Sequence, residues 1–179
     1  GVIENPAEPS HRIRITRRLA VSKYEVTLAQ WDACVTGGGC AHVPDDSGWG
    51  RGDRPVMKVS WDDVKTAYLP WLSRKSGKRY RLLTEAEWLY VASAGSTSSY
   101  TWGDDFTRGQ ANCSNCGSPW DNKQTAPVGS FPPNAFGLFD VHGNVVELCQ
   151  DVFRATGAEG SSPIQVDPVV LAGGDLRTI

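Results

Sequence analysis

The 179-residue sequence has no long apolar run and almost no excess of charge of either sign. A membrane-spanning helix needs about 20 apolar residues, so no transmembrane segment is predicted. The net charge of −2 gives no overall field that would attract nucleic acid, and no nucleic-acid partner is expected. The few histidines are scattered along the chain, and there is no Ser/His/Asp pattern and no phosphate-binding loop.

The residues that are abundant are those of turns. The chain has 19 glycines and 11 prolines, which argues against a helical bundle, and its 7 tryptophans argue against disorder. We expect one domain over residues 1–179. Residues 96–145 consist almost entirely of turn formers, which is typical of a functional loop or one held by a cation.

Charge is distributed unevenly along the chain. Residues 1–81 carry 14 basic and 9 acidic side chains, whereas residues 82–179 carry 4 and 11. An acidic half rich in Asn and Gly is where a hard cation is expected, although a solvated acidic surface is the alternative. The one basic run is interpreted as a solvated helix end: Arg74, Lys75, Lys78, Arg79 and Arg81.

Local patterns predict short strands and three helices. Capping boxes predict helix starts after Thr27 and Thr84, and a third helix is predicted from Ser60, interrupted or kinked at Pro70 because proline lacks a backbone donor. Strands are predicted over 11–15, 20–26, 56–59 and 80–83.

The five cysteines are Cys34, Cys40, Cys113, Cys116 and Cys149. Cys34 and Cys40 flank a glycine-rich turn and are expected to form a disulfide. For Cys113 and Cys116 a disulfide, half of a zinc site and a redox pair are open, and the disulfide is favoured because no further zinc ligands or thioredoxin-like context is found. Cys149 is either a buried thiol or bonded outside this segment. Disulfides indicate an oxidising, extracytoplasmic location: periplasmic, cell-surface or secreted.

Several motifs occur in a characteristic order along the chain. They are Tyr24-Glu25-Val26-Thr27, residues 55–61, Arg81-Leu82-Leu83-Thr84-Glu85-Ala86-Glu87-Trp88, Trp102-Gly103-Asp104, Ala126-Pro127-Val128-Gly129, residues 134–140 and Gly143-Asn144-Val145. Together they resemble the formylglycine-generating enzyme family, also called the sulfatase-modifying-factor family, over residues 10–150. The resemblance implies an α+β, C-type-lectin-like fold with little regular secondary structure and long ordered loops.

The resemblance does not extend to the family's catalytic cysteines. Known members oxidise a sulfatase cysteine to formylglycine with O2 and copper(I), which two cysteines hold beyond an Arg-Gly-Gly-Ser-Trp stretch. Here the nearest match is Leu171-Ala172-Gly173-Gly174-Asp175-Leu176, and no cysteine follows. The catalytic C-terminal segment is therefore expected to be missing, copper is not expected in this chain, and no catalytic residue is assigned.

The resemblance also implies two calcium sites. The first comprises Asp140, Gly143, Val145 and Glu147, whose two acidic side chains bracket a Gly-Asn turn. The second comprises Asn112, the carbonyl of Cys113, Asp121 and the carbonyl of Lys123. The alternative for both loops is a hydrogen-bonded turn network without metal.

Three functions follow as hypotheses. The favoured one is a non-catalytic, Ca2+-stabilised extracytoplasmic domain that binds a protein or a glycan. The second is a formylglycine-generating oxidase whose catalytic tail is missing. The third is a structural subunit in which Leu89 and Val91 pack within an assembly with other chains.

Overall fold

The computed structural model describes residues 13–152, 165–169 and 171. In chain order its elements are β1 (Ile13–Arg14), α1 (Leu28–Thr36), a π-helical segment π1 (Asp63–Tyr68), α2 (Leu69–Ser76), α3 (Glu85–Ser93) and β2 (Gln165–Val166). β1 and β2 pair in parallel, with Ile13 opposite Gln165. The remaining described chain is turns and loops, so the prediction of little regular secondary structure is confirmed.

The predicted starts of α1 and α3 are confirmed. The Thr27 hydroxyl accepts from the Gln30 amide at 3.2 Å, and the Gln30 side chain accepts from the Thr27 amide at 2.9 Å. Thr84 and Glu87 repeat this reciprocal pair at the start of α3. α3 stops at Ser93, and Ala94 takes the left-handed capping conformation.

The predicted interruption near Pro70 takes the form of a change in helix type. The wider π1 turn runs through Asp63–Tyr68, and α2 begins at Leu69 with Pro70 in its first turn. The helix continues from π1 into α2 without a break, since Tyr68 and Leu69 are both helical and the Leu69 amide donates to the Val64 carbonyl. The widened turn thus directly precedes a proline that has no amide hydrogen to donate. Gly77 closes α2 at φ 71°.

The strands predicted over 20–26, 56–59 and 80–83 are wrong, since none of these ranges forms a strand. Val56 does donate to the Val26 carbonyl at 2.7 Å, but Lys58 at φ 56° turns the chain before a ladder can extend. Tyr80 donates to the Ser73 hydroxyl instead of to a neighbouring strand. Of the strand predicted over 11–15, Ile13–Arg14 is observed and residues 11–12 lie outside the described part.

An aromatic core lies between α1 and α2. Trp31 stacks on Tyr68 with ring centroids 5.1 Å apart, and Tyr68 contacts Trp71. The Cys34–Cys40 disulfide closes this core at the end of α1. A side chain at Gly39 would come within 2.3 Å of Trp71, so the glycine-rich turn is needed for the ring to pack.

The two residues of the structural-subunit hypothesis differ in exposure. Val91 is buried, with 6% of its surface exposed, whereas Leu89 is 40% exposed. Val91 therefore packs within this chain, and of the two residues only Leu89 is available to a neighbouring chain.

In the described residues, no helix combines the length and apolar character that crossing a membrane requires.

Replacing Thr84 by alanine should destabilise the fold by roughly 1 kcal/mol, because the N-terminal amides of α3 lose their hydroxyl acceptor. Urea unfolding measures the change. The matched variant Thr84→Ser keeps the acceptor and should stay near the wild-type midpoint. Equal loss in both variants would show that the threonine methyl group, not the cap, carries the effect.

Candidate functional site

The predicted turn at residues 140–147 is anchored by a buried carboxylate. Asp140 is 4% exposed and adopts φ 58°. Its Oδ2 accepts from the Gly129 amide at 2.6 Å, whereas its Oδ1 is buried and has no hydrogen-bond partner. A buried carboxylate oxygen without a donor is costly, so this position is suited to a bound cation.

Three carboxyl groups interact electrostatically around this turn. The pKa of Glu25 is raised to about 8, mainly by burial and also by the charges of Asp140 and Glu147, against hydrogen bonds from Asn144 and Val145. Burial also raises the pKa of Asp140, opposed by the Gly129 amide. The pKa of Glu147 is raised by burial and by Asp140. Each group would ionise more readily beside a cation.

Asn144 connects the turn to three other segments. Its backbone amide donates to the Asn112 carbonyl at 2.7 Å. Its side-chain amide donates to Glu25 at 2.7 Å, and its Oδ1 accepts from the Ala126 amide at 2.8 Å. The residue adopts φ 63°, a conformation that asparagine tolerates better than most residues.

Gly143 brings the two predicted calcium loops together. It forms a parallel bridge with Asn112. A side chain at Gly143 would lie 2.4 Å from the Asn112 carbonyl oxygen, so only glycine permits this approach. The structure therefore brings Asn112 of the second set beside the Gly-Asn turn of the first.

The other residues of the second set lie in a loop with its own hydrogen bonds. The Asp121 carboxylate accepts from the amides of Asn115 and Gly117 at 2.7 and 2.8 Å. The Asn112 Oδ1 accepts from the Ser118 hydroxyl at 2.6 Å. Cys113 and Lys123 are exposed. This arrangement matches the alternative of a hydrogen-bonded turn, although a carboxylate has lone pairs to spare for a cation.

The two loops thus differ in how well they fit Ca2+. Calcium takes six to eight oxygen ligands, including backbone carbonyls. Within the described residues, no three His, Cys, Asp or Glu side chains converge closely enough to hold a metal on their own, so carbonyls such as those predicted at Gly143 and Val145 would have to complete the shell. The unpartnered Asp140 oxygen makes the 140–147 turn the better fit.

Glu25 is the residue that the sequence-based prediction missed. It belongs to the motif Tyr24-Glu25-Val26-Thr27, yet it lies more than a hundred positions before the turn it contacts. Its Oε2 accepts from Asn144, and its Oε1 accepts from the Val145 amide at 3.4 Å. Its place in that motif was the available signal.

Trp88 joins the turn to α3. Its indole Nε1 donates to Glu147 at 3.0 Å, which holds one carboxylate oxygen while leaving the other for a further partner. The predicted ligand Glu147 is therefore positioned by a core tryptophan.

The cysteines do not fit a copper(I) site. Cys34 is bonded to Cys40 and Cys113 to Cys116, and Cys149 is the remaining, buried thiol. Burial first, and then nearby acidic groups, raise the pKa of Cys149 to about 12. Copper(I) prefers soft thiolate ligands, and this chain with its disulfides intact offers no pair of them.

Comparison with known proteins identifies the family. A family model described as "Sulfatase-modifying factor enzyme 1-like domain" matches residues 2–177. The formylglycine-generating enzyme of Streptomyces coelicolor is 42% identical over 117 residues, which cover 60% of this chain and 35% of that enzyme. The enzyme of Thermomonospora curvata is 38% identical over 140 residues, which cover 70% and 43%.

A solved structure shares the fold. PvdO from Pseudomonas aeruginosa superposes with a TM-score of 0.69 at 33% identity, covering 88% of this chain and 67% of that one. The match spans less than half the length of the two enzymes above. The family model nevertheless covers nearly the entire sequence, and the chain belongs to the formylglycine-generating, or sulfatase-modifying-factor, family.

Proposed function

We propose that this chain is a calcium-stabilised, extracytoplasmic binding domain that acts without catalysis. The observation that carries the proposal is the buried, unpartnered Oδ1 of Asp140 beside two further carboxyls with raised pKa values. A divalent cation at this turn would supply the missing partner and offset the repulsion among the carboxylates. The protein would then gain stability from the ion rather than use it in chemistry.

The proposed location rests on the disulfides. Cys34–Cys40 and Cys113–Cys116 each close a short loop, and such bonds persist in oxidising compartments. Extracellular modules also bind calcium, so the proposed ion is compatible with the same environment.

A partly exposed aromatic cluster favours ligand binding, with a protein or a glycan as the partner. Tyr100 and Trp102 stack with centroids 4.9 Å apart, and Phe106 beside Tyr100 is 51% exposed. The Thr101 amide donates to His142 Nε2 at 3.1 Å, which joins this loop to the proposed calcium turn, residues 140–147. Aromatic faces on ordered loops are suited to stacking on sugars or on apolar side chains.

The second candidate is a formylglycine-generating oxidase that needs more chain than is present here. Relatives named formylglycine-generating enzyme at 38 to 42% identity favour it. Its difficulty is the lack of a thiolate pair for copper(I), since four of the five cysteines are in disulfides.

Calcium should raise the melting temperature, and a chelator should lower it. An ion that binds only the folded state adds about 2.7 kcal/mol when present at 100-fold over its Kd. Asp140→Ala should remove the calcium response, and Glu147→Gln should weaken it, as measured by differential scanning fluorimetry with and without EDTA.

The matched control is Asp105→Ala, which removes an exposed carboxylate from a loop outside both predicted sites. It should keep the full calcium response. A wild-type melting temperature that is indifferent to EDTA would refute the calcium proposal. Asp121→Ala, measured in parallel, reports whether the second predicted calcium loop contributes to the calcium-dependent rise in melting temperature.

Without calcium, stability should fall as pH rises from about 4.5 towards 8. Glu25 keeps its proton in the folded state up to about pH 8, whereas in the unfolded chain it loses the proton near pH 4.5, so the folded state binds more protons in this window. Glu25 alone contributes a slope of at most about 1.4 kcal/mol per pH unit. Urea unfolding in EDTA measures it, and Glu25→Gln should flatten it. A slope that survives in Glu25→Gln would assign the effect to other groups.

The chain supplied with copper and O2 should not convert a sulfatase-motif cysteine peptide to the aldehyde, because it offers no thiolate pair. Mass spectrometry of the peptide detects the mass loss of conversion, with a full-length family enzyme as the positive control. Turnover above a no-protein control would overturn the non-catalytic proposal in favour of the oxidase.

A further inference from the structure

A cavity outside the calcium loops lies between π1, α2 and the segment 79–82. Its volume is about 580 Å3, which is within the roughly 300–1,000 Å3 of small-molecule sites. Its wall combines the rings of Trp61 and Tyr80 with the aliphatic side chains of Leu69 and Leu82. None of its lining residues belongs to either predicted calcium site.

Among the described residues, the charged side chains that line the cavity are all basic: Lys65, Arg79 and Arg81. Arg81 is already neutralised, because its guanidinium makes a two-point contact with Glu87 at 2.6 and 2.7 Å. Within the described chain, neither Lys65 nor Arg79 pairs with a carboxylate. Two cations are therefore left to face an incoming anion.

The cations are held beside apolar surface. The Lys65 ammonium lies 4.1 Å from the centroid of the Trp61 ring, and the Trp61 indole is fixed by its hydrogen bond to the Cys149 carbonyl at 2.9 Å. The Tyr80 amide donates to the Ser73 hydroxyl at 3.1 Å, which joins the 79–82 segment to α2. Neither feature depends on a ligand, so the site is formed in advance.

The backbone that carries Lys65 is itself unusual. Lys65 lies in π1. π-Helical turns are rare in proteins, and those that occur are often located at functional sites. The wider turn directly precedes Leu69 and Pro70, which also line the cavity. This local geometry is a second observation, independent of charge, at the same place.

We propose that this cavity binds a small amphipathic carboxylate, an aromatic or aliphatic body with one anionic group, whose carboxylate pairs with Lys65 and Arg79 while its apolar body lies against Trp61 and Tyr80. A strongly charged polyanion would leave the apolar wall unused, and a neutral apolar molecule would leave both cations unpaired. The inference does not rest on the proposed calcium function.

The test is a titration followed by NMR on the 15N-labelled chain, with 3-phenylpropionate as the probe. Three matched compounds separate the contributions of the probe's charge and of its apolar body to binding: 3-phenylpropanamide lacks the charge, 3-phenylpropylamine reverses it, and acetate lacks the apolar body. We expect saturable shifts of amides in residues 61–82 with the carboxylate, at least about tenfold weaker binding of the amide, and no saturation with the amine or acetate.

Variants test the two cations. Lys65→Gln and Arg79→Gln should each weaken binding of the probe about tenfold. Arg74→Gln, which removes a charge of α2 that does not line the cavity, should leave the affinity unchanged. All three are exposed side chains, so folding should be preserved, which the melting temperature checks. Repeating the titration in EDTA should leave the affinity unchanged and separates this site from the calcium turn.

Several outcomes would overturn the proposal. Equal affinity for the carboxylate and the amide probe would do so. So would a loss of probe affinity in Arg74→Gln equal to that in Lys65→Gln and Arg79→Gln, or amide chemical-shift changes that map outside residues 61–82. A peptide with a free C-terminal phenylalanine is titrated in parallel. If it saturates the site while 3-phenylpropionate does not, the small-molecule assignment is wrong and the cavity recognises a chain terminus.

Discussion

The hydrogen bonds of Asn144 are the constraint on which the loop half of the molecule depends. This one residue joins Glu25, Asn112 and Ala126, of which Glu25 lies farthest away, 119 positions before it in the chain. A domain with few helices and strands cannot rely on ladders of backbone bonds, so side chains must pair the buried backbone groups. Asn134 does the same beneath α3, where it binds the carbonyls of Val91 and Ala92.

This way of building the fold has an electrostatic consequence. Bringing four segments together at Asn144 also brings Glu25, Asp140 and Glu147 into one partly buried region. There the charge of Asp140 disfavours ionisation of Glu25 and Glu147, and the charge of Glu147 disfavours ionisation of Glu25. A cation would relieve that cost, which is why stability and ion binding are linked in our account. The aromatic core between α1 and α2 is separate from this region and is closed by a disulfide instead.

Local features were predictable from the sequence, and distant ones were not. Capping boxes at Thr27 and Thr84 act over three residues, so their helices were found. The strands predicted over 20–26, 56–59 and 80–83 failed because alternating apolar residues do not reveal a left-handed residue such as Lys58 or a side-chain acceptor such as Ser73. Asp140 and Glu147 were predicted as calcium ligands from the family resemblance and their spacing. Glu25 was missed because only the folded chain brings it to them.

Calcium titration by calorimetry at pH 7, repeated in buffers of different ionisation enthalpy, tests the central claim most directly. Glu25, with a pKa of about 8, is mostly protonated at that pH and must release its proton when a cation binds beside it. Our account predicts saturable binding with close to one proton released per calcium ion, and a smaller release for Glu25→Gln. Absence of saturable binding, or binding without proton release, would contradict it.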